Sequence, residues 1–226
     1  MRGLLPPGCA FVTLSDDPAA AAGPALPEEL TALPPSALAR RRREFRLGRV
    51  AARLALIRAG LDDPPPIGRG ERGEPIWPTG WTGAIAHARG LVMAAAGPAS
   101  AFAGIGIDVE LVERIATTDV AARICRPDER AWASAFPTLR PARLALIFCA
   151  KECIYKAFFP ILGRFFGFHA AELTWDGSER HFRGRLLPSV APGLPADFRF
   201  DVRCQLSGKY AMAALALPNT GQGFGD

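Results

Sequence analysis

Apolar positions along the chain recur with two periods, and the period changes wherever turn-forming residues cluster. From 36 to 60 the spacing is helical: Leu38, Phe45, Val50, Leu54 and Ile57 form a stripe, Ser36 offers an N-cap and Gly60 a stop. Eight arginines (40, 41, 42, 43, 46, 49, 53 and 58) occupy the rest of that helix, which makes it strongly cationic as well as amphipathic. Ahead of it, the apolar run 9–14 predicts a strand, and SDDPAAAAGPALPEELTALPPS reads as loop and turn. Behind it, LDDPPPIGRGERGEPIWPTGW is too rich in Pro and Gly for regular structure and long enough to be a functional loop over a binding surface.

Strand-like segments follow at 83–88 and 91–97, and then at 102–111, where Ile105, Ile107 and Val109 alternate with Gly106, Asp108 and Glu110. Helical spacing returns over 120–135 and 141–159. The segments 171–175, 181–186, 198–204 and 210–217 read as antiparallel strands. Each half thus carries a long helix and short strands, so the pattern predicts an α+β fold of two similar α/β lobes, 1–101 and 102–226, although no residue-level repeat relates them.

Composition narrows the function classes. Of 226 residues 49% are hydrophobic and 22% charged, with mean hydropathy +0.12, enough apolar content for a real core. No run approaches the roughly 18 apolar residues of a spanning helix. The N-terminus lacks a continuous apolar segment because Pro6, Pro7 and Gly8 interrupt it, so a cytoplasmic protein is expected. Five cysteines, an odd number without a CxxC pair, read as reduced and mostly buried thiols. The 27 Lys and Arg against 22 Asp and Glu give a net charge of +5, yet only Lys151, Lys156 and Lys209 are lysines. Two of those three flank Glu152, and Lys is not interchangeable with Arg where a compact ammonium is needed.

Two acidic motifs stand out. Asp108 and Glu110 project from one side of a strand about 7 Å apart, an arrangement that suits a hard divalent ion, with Gly104 and Gly106 letting a ligand approach the backbone. A D-x-E alone also fits an exposed pair at a strand end. On the helix over 141–159, Glu152 and Lys156 emerge together from the apolar surroundings of FCAKECIYKAFF, while Lys151 points about 100° away. His169 and His181 read as surface or strand residues, and Trp77, Trp81, Phe165, Phe166 and Phe168 as core or loop packing.

Taken in order, RRREFRLGRVAARLAL, RGERGEPIWP, GAIAHARGLVMAAA, GIGIDVE and FCAKECIYKAFFP resemble the Sfp-type 4'-phosphopantetheinyl transferases. Within that family they are similar to the branch of enterobactin synthetase component D. The resemblance covers residues 40–175 and implies a pseudo-dimeric fold with the active site between the lobes. It implies that Asp108, Glu110 and Glu152 hold Mg²⁺, or Mn²⁺, on the pyrophosphate of coenzyme A. It also implies that Asp108, Glu152 and Lys156 are catalytic, that Lys151 and Lys156 lie at the phosphates, that His87 binds a phosphate, and that Arg41, Arg49, Arg69 and, less closely matched, Arg53 hold the 3'-phosphate. The implied reaction transfers phosphopantetheine to a serine of an acidic carrier protein and releases 3',5'-ADP, with Glu152 or Lys156 taking the serine proton. The implied setting is a monomer serving siderophore, other nonribosomal peptide or polyketide synthesis. One departure is Ala86, where the family has Ser or Thr before the histidine.

The rival class is a nucleic-acid-binding domain, suggested by a pI of 9.3 and the arginine-rich helix. It leaves Asp108, Glu110 and Glu152 without purpose, because carboxylates repel a polyphosphate unless a cation intervenes. An interfacial membrane helix over 36–60 is weakened by Gly48 and by the modest apolar stripe.

Overall fold

Small side chains decide how the layers of this protein stack. The computed structural model describes residues 3–16, 26–30, 33, 36–116 and 120–221. Its elements in order are β1 (Ala10–Ser15), α1 (Pro27–Leu30), α2 (Ala39–Ala59), β2 (Gly68–Arg69), β3 (Pro75–Ile76), β4 (Trp81–Ala88), β5 (Leu91–Pro98) and β6 (Phe102–Leu111), followed by α3 (Val112–Ala116), α4 (Ala121–Ile124), α5 (Pro127–Ser134) and α6 (Arg140–Leu162), and finally β7 (Ala171–Asp176), β8 (His181–Leu186), β9 (Phe200–Ser207) and β10 (Tyr210–Pro218). The fold is α+β, as the pattern predicts. No helix among the described residues is long and apolar enough to cross a membrane.

Two antiparallel sheets form the centre, one in the order β1-β5-β4 and the other β6-β10-β9-β8-β7. Ala84, Ala86 and Ala88 of β4 with Met93 and Ala95 of β5 meet Ile105, Ile107 and Val109 of β6 and Met212 and Ala214 of β10 in one buried cluster. The alternation in β6 therefore places its odd-numbered apolar residues between the sheets. On the outer face of the first sheet lies α2, and on the outer face of the second lies α6, giving four layers in the order helix, sheet, sheet, helix. A tie at the open end reinforces the stack, where Tyr210 donates its hydroxyl to the Arg89 carbonyl at 2.9 Å.

The helical stripe of α2 differs from expectation. Leu38 and Ile57 are exposed, whereas Leu47, Ala51, Ala52, Ala55 and Leu56 pack on the sheet. Alanines let the helix sit close to β4 and β5, so the buried face follows the small residues, and Phe45 and Val50 flank it. Nor does Ser36 cap this helix: it begins at Ala39 with Leu38 in the cap position, while Gly60 ends it in the left-handed region at φ 108°. The helical stretch expected over 120–135 is split into α4 and α5, because Pro127 opens a new helix whose Glu129 accepts from the backbone N–H of Arg126 at 2.7 Å. The turn-rich stretch after β1 lies largely outside the described residues. All five cysteines are free, four of them buried.

The closest approach is between β6 and α6. A Cβ added at Gly104 would stand 1.9 Å from the Ala157 carbonyl oxygen, and one at Gly106 1.9 Å from that of Cys153. These glycines admit a helix backbone, not a ligand, which corrects the reading of them as openings for substrate. The Cys153 thiol fills the contact by donating to the Gly106 carbonyl at 3.1 Å. Gly106→Ala should therefore cost about 3 kcal/mol, because both colliding partners are backbone and neither can turn aside. Chemical denaturation checks this, and an unchanged midpoint would refute the contact.

Candidate functional site

Layer stacking leaves a cleft of about 530 Å³ between α2 and β4 on one wall and α6 on the other, roofed by the loop joining β2 to β3 and on to Trp77. The α2 wall contributes Arg41, Glu44, Phe45, Gly48 and Arg49; β4 adds His87. From the opposite side α6 contributes Glu152, Tyr155 and Lys156. Glu152 and Lys156 are one turn apart, so the helix presents a carboxylate and an ammonium together, as the spacing predicts.

Lys156 reaches across to β6, donating to Asp108 Oδ1 at 2.7 Å and to the Ile107 carbonyl at 3.1 Å. Burial opposes its charge, but Asp108 and Glu152 outweigh that and hold the ammonium above the ordinary lysine range. Glu152 moves the other way from a normal carboxylate. Burial and the nearby Asp108 push it up, with Lys156 opposing in part. Asp108, 7% exposed, and Glu152 are thus close enough to repel.

The other wall is a guanidinium cluster. Arg49 is buried, with Nη2 donating to the Gly68 carbonyl at 3.0 Å and its carbon 4.3 Å from the Phe45 ring centroid. Its Nε is buried with no hydrogen-bond partner. Burial lowers this guanidinium to about 10, Arg41 and Arg69 adding to the effect while Glu29 opposes it, and it remains charged at neutral pH. Arg41 Nη1 lies 3.2 Å from His87 Nε2. An unsatisfied buried donor beside several like charges calls for an anion.

Residues 27–97 match the 4'-phosphopantetheinyl transferase N-terminal domain, and residues 104–213 match the 4'-phosphopantetheinyl transferase superfamily. The chain is 38% identical over 168 residues to the 4'-phosphopantetheinyl transferase PptT of Mycobacterium tuberculosis, covering 73% of this chain and 71% of that one. It is 35% identical over 206 residues to the 4'-phosphopantetheinyl transferase Npt of Nocardia iowensis, covering 84% and 91%. Enterobactin synthase component D of Salmonella typhimurium is 34% identical over 157 residues, covering 69% and 64%. The chain belongs to the 4'-phosphopantetheinyl transferase superfamily. It is an enzyme of that family, and nothing in these likenesses supports the nucleic-acid-binding alternative.

In this transferase several residues that the motifs single out stand elsewhere than in the cleft. Arg53 pairs with Glu29, a carboxylate at 0% exposure that also accepts from the backbone N–H groups of Leu26 and Ile67. It is committed to holding α1 and the start of the loop, not to a phosphate. Lys151 likewise turns inward: Nζ lies 2.7 Å from Glu129 Oε2 in an ion pair outside hydrogen-bond geometry, with both side chains essentially buried. Glu129 is further fixed by the Leu173 N–H at 3.0 Å, so this pair ties α6 to α5 and β7. The rotation of about 100° per residue along the helix explains why the adjacent Lys151 and Glu152 have unrelated duties.

Glu110 shares the face of Asp108 but is engaged, accepting from its neighbour Leu111 N–H at 2.8 Å and meeting Arg114 at 3.0 Å. Arg69 is exposed on β2, near the cluster but not lining the cleft. Ala86 faces the core between the sheets, 2% exposed, so a hydroxyl at this position would lie among Ala, Ile and Met side chains. The motifs did not single out Glu44, Arg72 and Tyr155, and Trp77 and Trp81 line the cleft where packing was expected. Glu44 carries a faint signal as a lone acid inside an arginine run. Arg72 carries none, because only the fold brings its Nη1 within 3.1 Å of the Gly163 carbonyl at the end of α6.

Two stability measurements separate these duties. Lys151→Ala strands the buried Glu129 charge and should cost about 3–5 kcal/mol in urea unfolding, while the folded variant keeps its substrate KM. Glu152→Gln should unfold at a higher temperature than the parent at neutral pH. The folded-state pKa of Glu152 lies above its unfolded value, so the native fold favours the protonated form and loses stability as pH rises through that window. The difference should shrink as pH falls toward 4.5, and a constant difference would remove Glu152 as the cause.

Proposed function

We propose that the cleft binds coenzyme A with its phosphates between the two walls, and that the chain transfers the phosphopantetheine arm to the serine of an acidic apo carrier protein, releasing 3',5'-ADP. One observation carries the reading: Arg41, Arg49 and His87 converge on the same cleft as Glu152 and Lys156, the cationic wall including a buried guanidinium Nε with no partner. Arg41 and Arg49, with Arg69 at the rim, suit the 3'-phosphate. Arg53 and Lys151 are spent on buried pairs and leave the set.

The donor set fits a magnesium ion. Among the described residues no three His, Cys, Asp or Glu side chains form a ready-made metal cluster. Magnesium is commonly held by one or two carboxylates plus substrate phosphates and water, and Asp108 and Glu152 are two hard oxygen donors whose mutual repulsion a cation would relieve. Glu110, on the same strand face but paired with Arg114, would be a third oxygen donor only if that pair opened. When bound, the ion supplies positive charge to the pyrophosphate oxygens on which negative charge grows.

The protein's own residues divide the remaining work. The serine oxygen attacks the phosphorus bearing the pantetheine arm, the bond from that phosphorus to the bridging oxygen breaks, and the bridge leaves on 3',5'-ADP. Lys156, held protonated by Asp108, presents a fixed ammonium to the phosphates. That same hold makes it a poor base. Glu152, a carboxylate destabilised by burial and by Asp108, is the better acceptor for the serine proton. The exposed arginines of α2 supply a field that draws an acidic carrier toward the cleft.

The reading extends to a cytoplasmic monomer acting in siderophore or related nonribosomal peptide or polyketide synthesis. Five free thiols suit a reducing compartment, and the cleft takes both walls from one chain. Purified protein incubated with coenzyme A, Mg²⁺ and a panel of apo carriers should add one phosphopantetheine to the carrier serine, read by intact mass. EDTA should abolish the gain. Asp108→Ala and Glu152→Ala should each slow transfer by roughly a hundredfold or more, and full activity in either variant would overturn its role.

A further inference from the structure

Each carboxylate of β6 is answered by a cation of the chain itself, and the two answers differ in kind. Asp108 meets Lys156, an ammonium carried on α6 that also donates to the Ile107 carbonyl. Glu110 meets Arg114, whose Nη1 lies 3.0 Å from Oε2, and here the carboxylate side chain is 8% exposed against 71% for the arginine. The buried partner of that pair belongs to the site. Cys149, one turn before Glu152 on α6, has its thiol pushed up by burial and then by charges that include Asp108 and Glu110, so both strand carboxylates act on the helix that carries Glu152.

Of the two donors on Glu110, only Arg114 is able to withdraw. Oε1 accepts from the backbone N–H of Leu111 at 2.8 Å, and that stretch is fixed to β10: Leu111 stands opposite Tyr210, and the next N–H, that of Val112, donates to the Lys209 carbonyl at 3.0 Å. Arg114 instead sits in the last turn of α3 and reaches Glu110 from the solvent side. An exposed pair of this kind is weak enough to exchange. Charge points the same way. When ionised, Asp108, Glu110 and Glu152 together with Lys156 leave two negative charges, the complement of a divalent ion, and Arg114 cancels one of them. A guanidinium and a dication on one carboxylate repel each other, so the two compete.

We propose that Arg114 is a built-in competitor of the magnesium ion: it occupies Glu110 until the ion takes its place, and the affinity for the ion is set by that exchange. Lys156 plays no such part, because Asp108 and Glu152 hold its charge inside the cleft wall. The proposal deepens the transferase reading and rests on it in one respect, that these carboxylates bind a cation. Its test needs no transfer at all.

Mn²⁺ titrated into purified protein without coenzyme A, followed by the electron paramagnetic resonance signal of the free ion, reads the exchange directly. Arg114→Gln should tighten Mn²⁺ binding about threefold, and Arg114→Lys, which keeps the charge, should stay closer to the parent than to the glutamine variant. Glu110→Gln should weaken binding, and Arg114→Gln added to it should bring no gain, because nothing is left to compete for. An unchanged Kd in Arg114→Gln overturns the proposal. So does an equal gain in the Glu110→Gln background, which would mark only the general field of the arginine, and so does a failure of all these proteins to bind Mn²⁺. If the variants behave as expected but no carrier gains phosphopantetheine by intact mass, the transferase reading fails and the exchange stands. If carriers are modified and Arg114→Gln leaves Mn²⁺ binding where it was, the exchange alone fails.

Discussion

Backbone meets backbone where α6 crosses β6, and the α6 wall of the cleft stands where it does because Gly104 and Gly106 permit it. With no side chain between them, the carbonyls of Ala157 and Cys153 rest against the strand. That closeness lets Lys156, one residue before Ala157, reach the next residue on the same strand face, Asp108. A Cβ at either glycine would push the helix outward and separate the ammonium from its carboxylate. The α6 wall of the cleft is therefore a consequence of packing, and the spacing of G-x-G-x-D-x-E encodes both the contact and the position of the carboxylate in one segment.

Charge in this molecule is sorted by burial. Pairs that are almost fully enclosed, Arg53 with Glu29 and Lys151 with Glu129, join elements and make no contact with the cleft. Two groups that line the cleft are incomplete: Arg49 has an unpartnered Nε, and Glu152 stands beside another carboxylate. Breaking an enclosed pair leaves an uncompensated charge in a low dielectric, so such pairs behave as fasteners. Incomplete groups on a wetted wall remain available to ligands. Glu44 fits neither kind: buried itself, it pairs with an exposed Arg40 on its own helix and faces the imidazole of His87 across the cleft wall.

The two walls differ in origin. On the α6 wall, local sequence does most of the work: Glu152 and Lys156 share a face because they are four residues apart, and Asp108 follows two glycines on an alternating strand. The α2 wall is assembled from distant parts. Arg41 and His87 are 46 residues apart, and in the roof Arg72 is 91 from the carbonyl it touches at the end of α6. Nothing in the spacing of either segment announces such a meeting.

Periodicity alone therefore determined the long helices, β6 with its buried odd-numbered face, and the pairing of Glu152 with Lys156, since each depends on neighbours within a few residues. The motif order determined the family. Tertiary structure alone decided which charges are free. Lys151 and Glu152 are adjacent, and Arg49 and Arg53 are one turn apart, yet in each pair one side chain lines the cleft and the other is locked in a buried ion pair. Sequence spacing fixes the direction in which a side chain leaves its helix, but not what has been packed there to meet it. Burial and partners are properties of the assembled layers, and they turn a basic helix and two acidic motifs into opposite walls of one site.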